Sequence, residues 1–202
     1  MSRRRGVVVM VVVLGAASAA CGGVQAVDVH DERLPLEARL WVGGAEDAVA
    51  IAAAAVDDGQ RELDALERWA DTLPSGKGAG AATGGLVHSL RALADARVAL
   101  GEARLERAQA ELALARAALK VVYAETRMRY DLGVADLAAL RATRDEARRA
   151  LEATAEDVDE ALVAEEKVAA EFWSSYQMEA ARGVDDTLLW LPRERPARAR
   201  RP

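Results

Sequence analysis

The chain has 202 residues, a length that fits one domain with tails. Apolar residues make up 51% of it but aromatic residues only 4%, and charged residues reach 30%, which favours long, thin helices over a thick globular core. The net charge of −6 argues against nucleic acid as the main partner.

The first twenty residues have the pattern of a secretory signal peptide. A basic start at residues 3–5 precedes an apolar run at 6–14, and small residues follow as far as Cys21. An apolar stretch of roughly fifteen residues is shorter than the about twenty that span a membrane comfortably. We therefore expect residues 1–20 to be removed.

Cys21 is the only cysteine, so no internal disulfide can form. Its position after a run of small residues and before two glycines resembles the lipobox of bacterial lipoproteins, although Ser18 stands where that family usually has leucine. The resemblance implies that Cys21 is lipidated, becomes the mature N-terminus and holds the protein at the outer membrane, facing the periplasm. The alternative is ordinary cleavage after Ala19, which leaves a free thiol.

Residues 21–44 are predicted to be a tether between the lipidated cysteine and the folded body. The apolar stretch at 34–42 could form a short strand or an extended packing arm, but Pro35 argues against a central strand. His30 lies among acidic residues, but no second His or Cys stands at a ligand spacing, so we expect no metal site.

Three helices are predicted, at about 45–73, 86–132 and 136–182, because apolar residues recur there at three and four residues. The expected fold is all-α: a long antiparallel coiled-coil hairpin with a shorter third helix, the first in the chain, packed on its base. Helices of about 46 residues make a rod on the order of 70 Å long. The hairpin end near Gly133 should then project as a bare two-helix arm, whose exposed apolar residues indicate a protein partner or self-association.

The second predicted helix carries two rows of residues spaced by seven, a pattern typical of a coiled-coil seam. One row is large and the other mostly small: Val98, Leu105, Leu112 and Leu119, then Gly101, Ala108, Ala115 and Val122. Folding the chain back about Gly133 sets Leu105 opposite Ala161 and Leu112 opposite Thr154. Because large meets small, we expect both rows to face the third helix.

A short break at residues 129–136 joins the two long helices. Gly133 is predicted to close the second helix with a positive φ, which glycine adopts without a Cβ penalty. Asp136 is predicted to cap the start of the third helix.

The pattern Arg129-Tyr130-x-x-Gly133-x-x-x-Leu137-x-x-Leu140 resembles the periplasmic hairpins of the TolC-like outer-membrane efflux proteins, over about residues 96–170. In that family this end of the hairpin meets an adaptor protein. The resemblance implies a docking site for an envelope protein at Arg129, Tyr130, Leu132, Gly133, Val134 and Leu137. The alternative is that these side chains only cap the coiled coil internally. The family carries two hairpins with membrane strands between them, whereas this chain has one hairpin and no alternating apolar run.

Other candidate sites have simpler interpretations. Gly76-Lys77 lacks the preceding strand and the spacing of a phosphate-binding loop, and His88 is expected on a helix surface. The aromatic residues Trp69, Phe172, Trp173 and Tyr176 should meet at one end of the bundle and pack in its core. The segment 183–202 ends in a basic, proline-containing tail.

The sequence thus predicts a lipid-anchored, non-enzymatic coiled-coil protein that acts as a scaffold or docking element of an envelope or efflux assembly, with no cofactor. The rival hypothesis is a truncated TolC-like subunit of an oligomeric efflux tube.

Overall fold

The computed structural model describes residues 24–73 and 81–182, apart from the side chains of residues 81–84. These residues form three helices, α1 (Leu36–Thr72), α2 (Ala81–Arg129) and α3 (Leu137–Ala180), and the described ranges contain no strand. The predicted all-α fold with a helical hairpin is confirmed, since α2 and α3 pack closely along each other. At 1.5 Å per residue the 49 residues of α2 give a rod about 70 Å long. No described helix is long and apolar enough to cross a membrane.

Helix α2 lies between the other two. It packs against both α1 and α3, whereas no Cα atom of α1 comes within 8 Å of one in α3. The predicted pairing of α2 with α3 is confirmed near the turn, where Arg141 Nη2 lies 2.6 Å from Glu125 Oε1. Near the other end Arg97 Nε donates to Glu165 Oε1 at 2.9 Å, one helical turn away from the predicted pairing.

Two members of the seven-residue rows of α2, Gly101 and Leu105, face α1, although both rows were predicted to face α3. A Cβ atom on Gly101 would lie 3.1 Å from Leu66 Cδ1 of α1, and one on Gly59 of α1 would lie 3.5 Å from Leu105 Cδ1. Leu105, which was predicted to lie opposite Ala161 of α3, thus packs on α1 at Gly59. The periodicity identified a buried face correctly, but it carries no information on which neighbouring helix covers that face.

Helix α1 begins at Leu36, nine residues before the predicted start, and it reaches the turn end of the hairpin. Pro35 lies at its N-terminal boundary, where a fixed φ is compatible with a helix and a missing N–H costs nothing. The Pro35 carbonyl accepts hydrogen bonds from the N–H groups of Ala38, at 3.1 Å, and Arg39, at 3.2 Å. The tether prediction is wrong from Leu36 onward.

Two apolar clusters mark the ends of the rod. The tip cluster, next to the α2–α3 turn, consists of buried Val27, Leu34, Ala38 and Val42 with partly buried Val29, Val122, Tyr123, Tyr130 and Leu132. The base cluster consists of buried Leu73, Leu86, Leu90, Leu93, Ala94 and Phe172 with partly buried Trp69, Ala70, Val168, Ala169 and Tyr176. The predicted bare two-helix arm is therefore wrong, because the N-terminal segment and the first turns of α1 cover the tip.

Candidate interaction surface at the hairpin tip

The turn between α2 and α3 closes the second helix in a Schellman-type arrangement. The Leu132 N–H donates to the Arg127 carbonyl at 2.8 Å, and Asp131 between them has a φ of 56°. Gly133 does have the predicted positive φ, 147°, but it follows the closing residue. The left-handed position that terminates α2 is thus held by Asp131, a residue type that tolerates it better than most.

Arg127 fixes the position of Gly133. Its Nη2 atom donates to the Leu132 carbonyl at 2.6 Å, which holds the guanidinium against the turn. A Cβ atom on Gly133 would lie only 2.7 Å from that Nη2. Glycine is therefore favoured here by its φ, and a Cβ atom would in addition require the end of the Arg127 side chain to shift.

Helix α3 begins as predicted. The Asp136 side chain accepts a hydrogen bond from the Ala139 N–H at 3.0 Å, the interaction of an N-cap residue. Leu137, the first residue of α3, is half-buried.

The residues predicted to dock a partner divide into two groups. Tyr130 and Leu132 are partly buried in the tip cluster, where they contact the N-terminal segment and α1. Arg129, Gly133 and Val134 are exposed, Val134 to 97%. The Arg129 guanidinium carbon lies 5.8 Å from the centre of the Tyr130 ring. Part of the predicted surface is therefore internal packing, and the rest faces solvent.

The start of α1 adds exposed apolar residues that the sequence interpretation missed. Leu36 is 69% exposed, Leu40 67% and Trp41 43%. An open cleft beside them is lined by Glu37, Ala38, Trp41, Arg129 and Tyr130. The spacing of Leu36 and Leu40, opposite Ala38 and Val42, is helical and was a signal for an earlier start of α1.

A partly buried polar contact joins α1 to α2 next to the tip cluster. The Tyr123 hydroxyl donates to Glu46 Oε1 at 2.6 Å. Burial, together with this hydrogen bond to a carboxylate, raises the pKa of Tyr123 to about 12. The contact fixes the first half of α1 along the hairpin.

Three of the four aromatic residues at the base pack in the core as predicted. Phe172 is 2% exposed, and its ring centre lies 5.2 Å from that of Trp173 and 6.2 Å from that of Tyr176. Trp69 of α1 packs against the same cluster. The predicted core packing is confirmed for Trp69, Phe172 and Tyr176, but it is wrong for Trp173, which is 37% exposed.

The polar residues weighed for metal binding are exposed. The His30 backbone N–H donates to Asp28 Oδ1 at 2.9 Å in a local turn, and His88 lies on the surface of α2. Over residues 24–73 and 81–182, no group of three His, Cys, Asp or Glu side chains stands close enough to hold a metal ion.

Four of the predicted features lie outside the described residues: the signal peptide at 1–20, Cys21, the Gly76-Lys77 loop and the basic tail within 183–202. Comparison of the chain with protein-family models, characterised proteins and solved structures gives no match.

Proposed function

We propose that this protein is a lipid-anchored component of the bacterial cell envelope that acts as a non-enzymatic helical spacer or scaffold. Cys21 would hold it at the outer membrane, and the rod would extend into the periplasm. The lipobox-like residues before Cys21 support the anchor, and the rod of about 70 Å supports the role of a spacer.

The observation that carries the proposal is the packing of the N-terminal segment on the hairpin tip. Val27 is 5% exposed in the tip cluster, so the chain leading back to Cys21 leaves the body at that end. Five residues separate Cys21 from Val27, and this stretch spans at most about 20 Å, far less than the rod length. A lipid on Cys21 would therefore hold the rod by its tip end and place the base cluster about 55 Å from the tip cluster.

This geometry constrains the partner predicted at the tip. If a lipid anchor lies within about 20 Å, Val134 and Arg129 lie close to the membrane surface. Contact with an adaptor protein in the periplasm would instead require these two residues to face away from the membrane. Docking of an envelope protein at the tip stays a prediction, and it now implies a partner that lies at the membrane. The opposite end, which continues through Arg182 to the basic tail, is the end free to reach other envelope components.

Intact mass spectrometry of protein purified from the cell envelope tests the anchor. We expect a mature chain that starts at Cys21 and carries added lipid, and we expect Cys21→Ser to leave the membrane fraction. A chain that starts at Ala20, or one that retains residues 1–20 without lipid, would contradict the proposal.

Light scattering of the same protein in detergent tests the scaffold role against the oligomeric tube. A monomer or dimer supports a spacer, because one rod then acts alone or in a pair. A ring-sized oligomer would instead support the TolC-like alternative.

A further inference from the structure

We infer that the tip end of the rod inserts into the surface of a lipid bilayer, with Leu36, Leu40 and Trp41 as its inserting side chains. The inference rests on the lipid anchor proposed for Cys21, and it assigns a second, non-covalent membrane contact to the folded body. A lipid anchor alone leaves a rod free to swing about a short linker. A second contact beside the anchor would fix the angle at which the rod stands.

The first observation is the direction of the two leucines. Leu36 and Leu40 are one helical turn apart on the face of α1 opposite Ala38 and Val42, which are buried in the tip cluster. They are 69% and 67% exposed. Two large apolar side chains one turn apart on the outer face of a helix end form an exposed apolar patch, which is typical of a protein or membrane contact.

The second observation is the set of side chains at the same end of the rod as these leucines. Trp41, Tyr130 and Arg129 line one cleft at the same end of the rod. Tryptophan, tyrosine and arginine have an apolar body and a polar tip, and they are the side chains that occupy the boundary between acyl chains and headgroups. Met128, 46% exposed, and Val134, 97% exposed, extend the apolar surface onto α2 and the turn.

Distance from the anchor decides in favour of lipid over another occupant. If Cys21 carries a lipid, a bilayer must lie within about 20 Å of Val27, and the exposed residues of the tip end are the folded surface nearest to it. Glu37 and Asp131 are exposed at this end as well. Their charges limit the contact to the headgroup and upper acyl region, because a charged side chain is costly deeper in the bilayer.

Trp41 and Trp173 form a matched pair of probes for this contact. They are 43% and 37% exposed and lie at opposite ends of the rod. Two variants of the lipidated full mature chain would each keep one of them, with Phe at the other three tryptophan positions. Each would be placed in vesicles of phosphatidylethanolamine and phosphatidylglycerol containing phosphatidylcholine brominated in the upper acyl chain.

We expect bromine to quench Trp41 at least about twofold more strongly than Trp173, because only the tip end should enter the acyl region. In the background that keeps Trp41, Leu36→Ser with Leu40→Ser should reduce the quenching by about half or more. Ile51→Ser is the matched control, since Ile51 is a 72% exposed residue on the same helix, about 17 Å further from the tip. It should leave the quenching unchanged, and circular dichroism should show full helix content in all variants.

Lipidated protein with equal quenching of Trp41 and Trp173 would overturn the inference in favour of a rod lying flat. Lipidated protein with neither residue quenched would overturn it while leaving the anchor intact. Shielding of Trp41 that depends on protein concentration and not on vesicles would overturn it in favour of a second copy of the chain. Absence of lipid on Cys21, measured by mass on the same sample, would overturn the proposed function and this inference together.

Discussion

The two ends of the rod are built differently. The base cluster takes buried side chains from α2, from α3 and from Leu73 directly after α1, and Trp69 and Ala70 of α1 pack against it. The tip cluster takes its buried members, Val27, Leu34, Ala38 and Val42, from the N-terminal segment and α1, and it contains no described residue of α3. The base cluster therefore connects all three helices, whereas the buried side chains of the tip cluster come from one continuous segment of the chain.

Arg97 adds a further contact between the helices near the base cluster. Its side chain is 16% exposed, pairs with Glu165 of α3, and lies 5.9 Å from the ring centre of Trp69 on α1. One side chain of α2 thus contacts both flanking helices close to the base cluster. Removal of one partner of such a mostly buried ion pair lowers the free energy of unfolding by several kcal/mol, because the remaining charge stays desolvated.

Truncation of the base core should have the largest effect. Phe172→Ala should lower the free energy of unfolding by about 3–5 kcal/mol, because it leaves a cavity where the three helices meet. Urea unfolding followed by circular dichroism measures this loss. Trp173→Ala is the control, since this neighbouring ring is 37% exposed and should cost much less. Equal losses would contradict a core centred on Phe172.

Truncation of the tip core should have a smaller and more local effect. Leu34 is 1% exposed, and Leu34→Ala should destabilise the tip cluster by about 2 kcal/mol or more. Native-state hydrogen exchange should then speed up in residues 24–45 and around Tyr130, while amides beside the base cluster keep their protection. A uniform increase in exchange rate along all three helices would show that the tip cluster does not open independently of the base.

High pH should weaken the α1–α2 contact near the tip. Since the folded-state pKa of Tyr123 is raised to about 12 from the usual 10, its stabilising contribution is complete below pH 10. It is lost between pH 10 and about 12, because the unfolded chain gives up the proton first. Tyr123→Phe should lose less stability over that window, as measured by urea unfolding at both ends of it. Identical pH profiles of the two proteins would contradict a partly buried Tyr123–Glu46 contact.

The smallest expected effect concerns the turn. Asp131→Gly should raise stability by less than about 1 kcal/mol, because relief of the left-handed φ is partly offset by the flexibility of glycine in the unfolded chain. Gly133→Ala should act in the opposite direction, since its Cβ would meet the Arg127 guanidinium. Thermal melts of the two variants that shift in the same direction would contradict this assignment of the turn.

Local signals predicted much of the fold. The helical periodicity and the absence of alternating runs gave three helices, and Asp136 followed by Leu137 marked the start of α3. The turn at Gly133 fixed how α2 and α3 pair close to the turn, because a short connection leaves little choice of alignment there, whereas the pairing near the base differs by one helical turn. These features depend on residues close together in the chain.

The tip depended on contacts between distant residues, and the sequence did not reveal them. Pro35 was interpreted as a residue that excludes a strand, although it suits the start of a helix equally well. Burial of Val27 and Leu34 requires a surface on α2 and the turn that no local pattern displays. The closing role of Asp131 was assigned to Gly133 because glycine is the usual residue at that position.

The central position of α2 has a consequence for folding kinetics. Each helix backbone packs only against its neighbour in sequence, so the chain can form two successive hairpins that share α2. The relative contact order is consequently low, and no long loop must close before favourable contacts appear. Such topologies fold in microseconds to milliseconds. Either hairpin can form first, and the base cluster joins the two once both are in place.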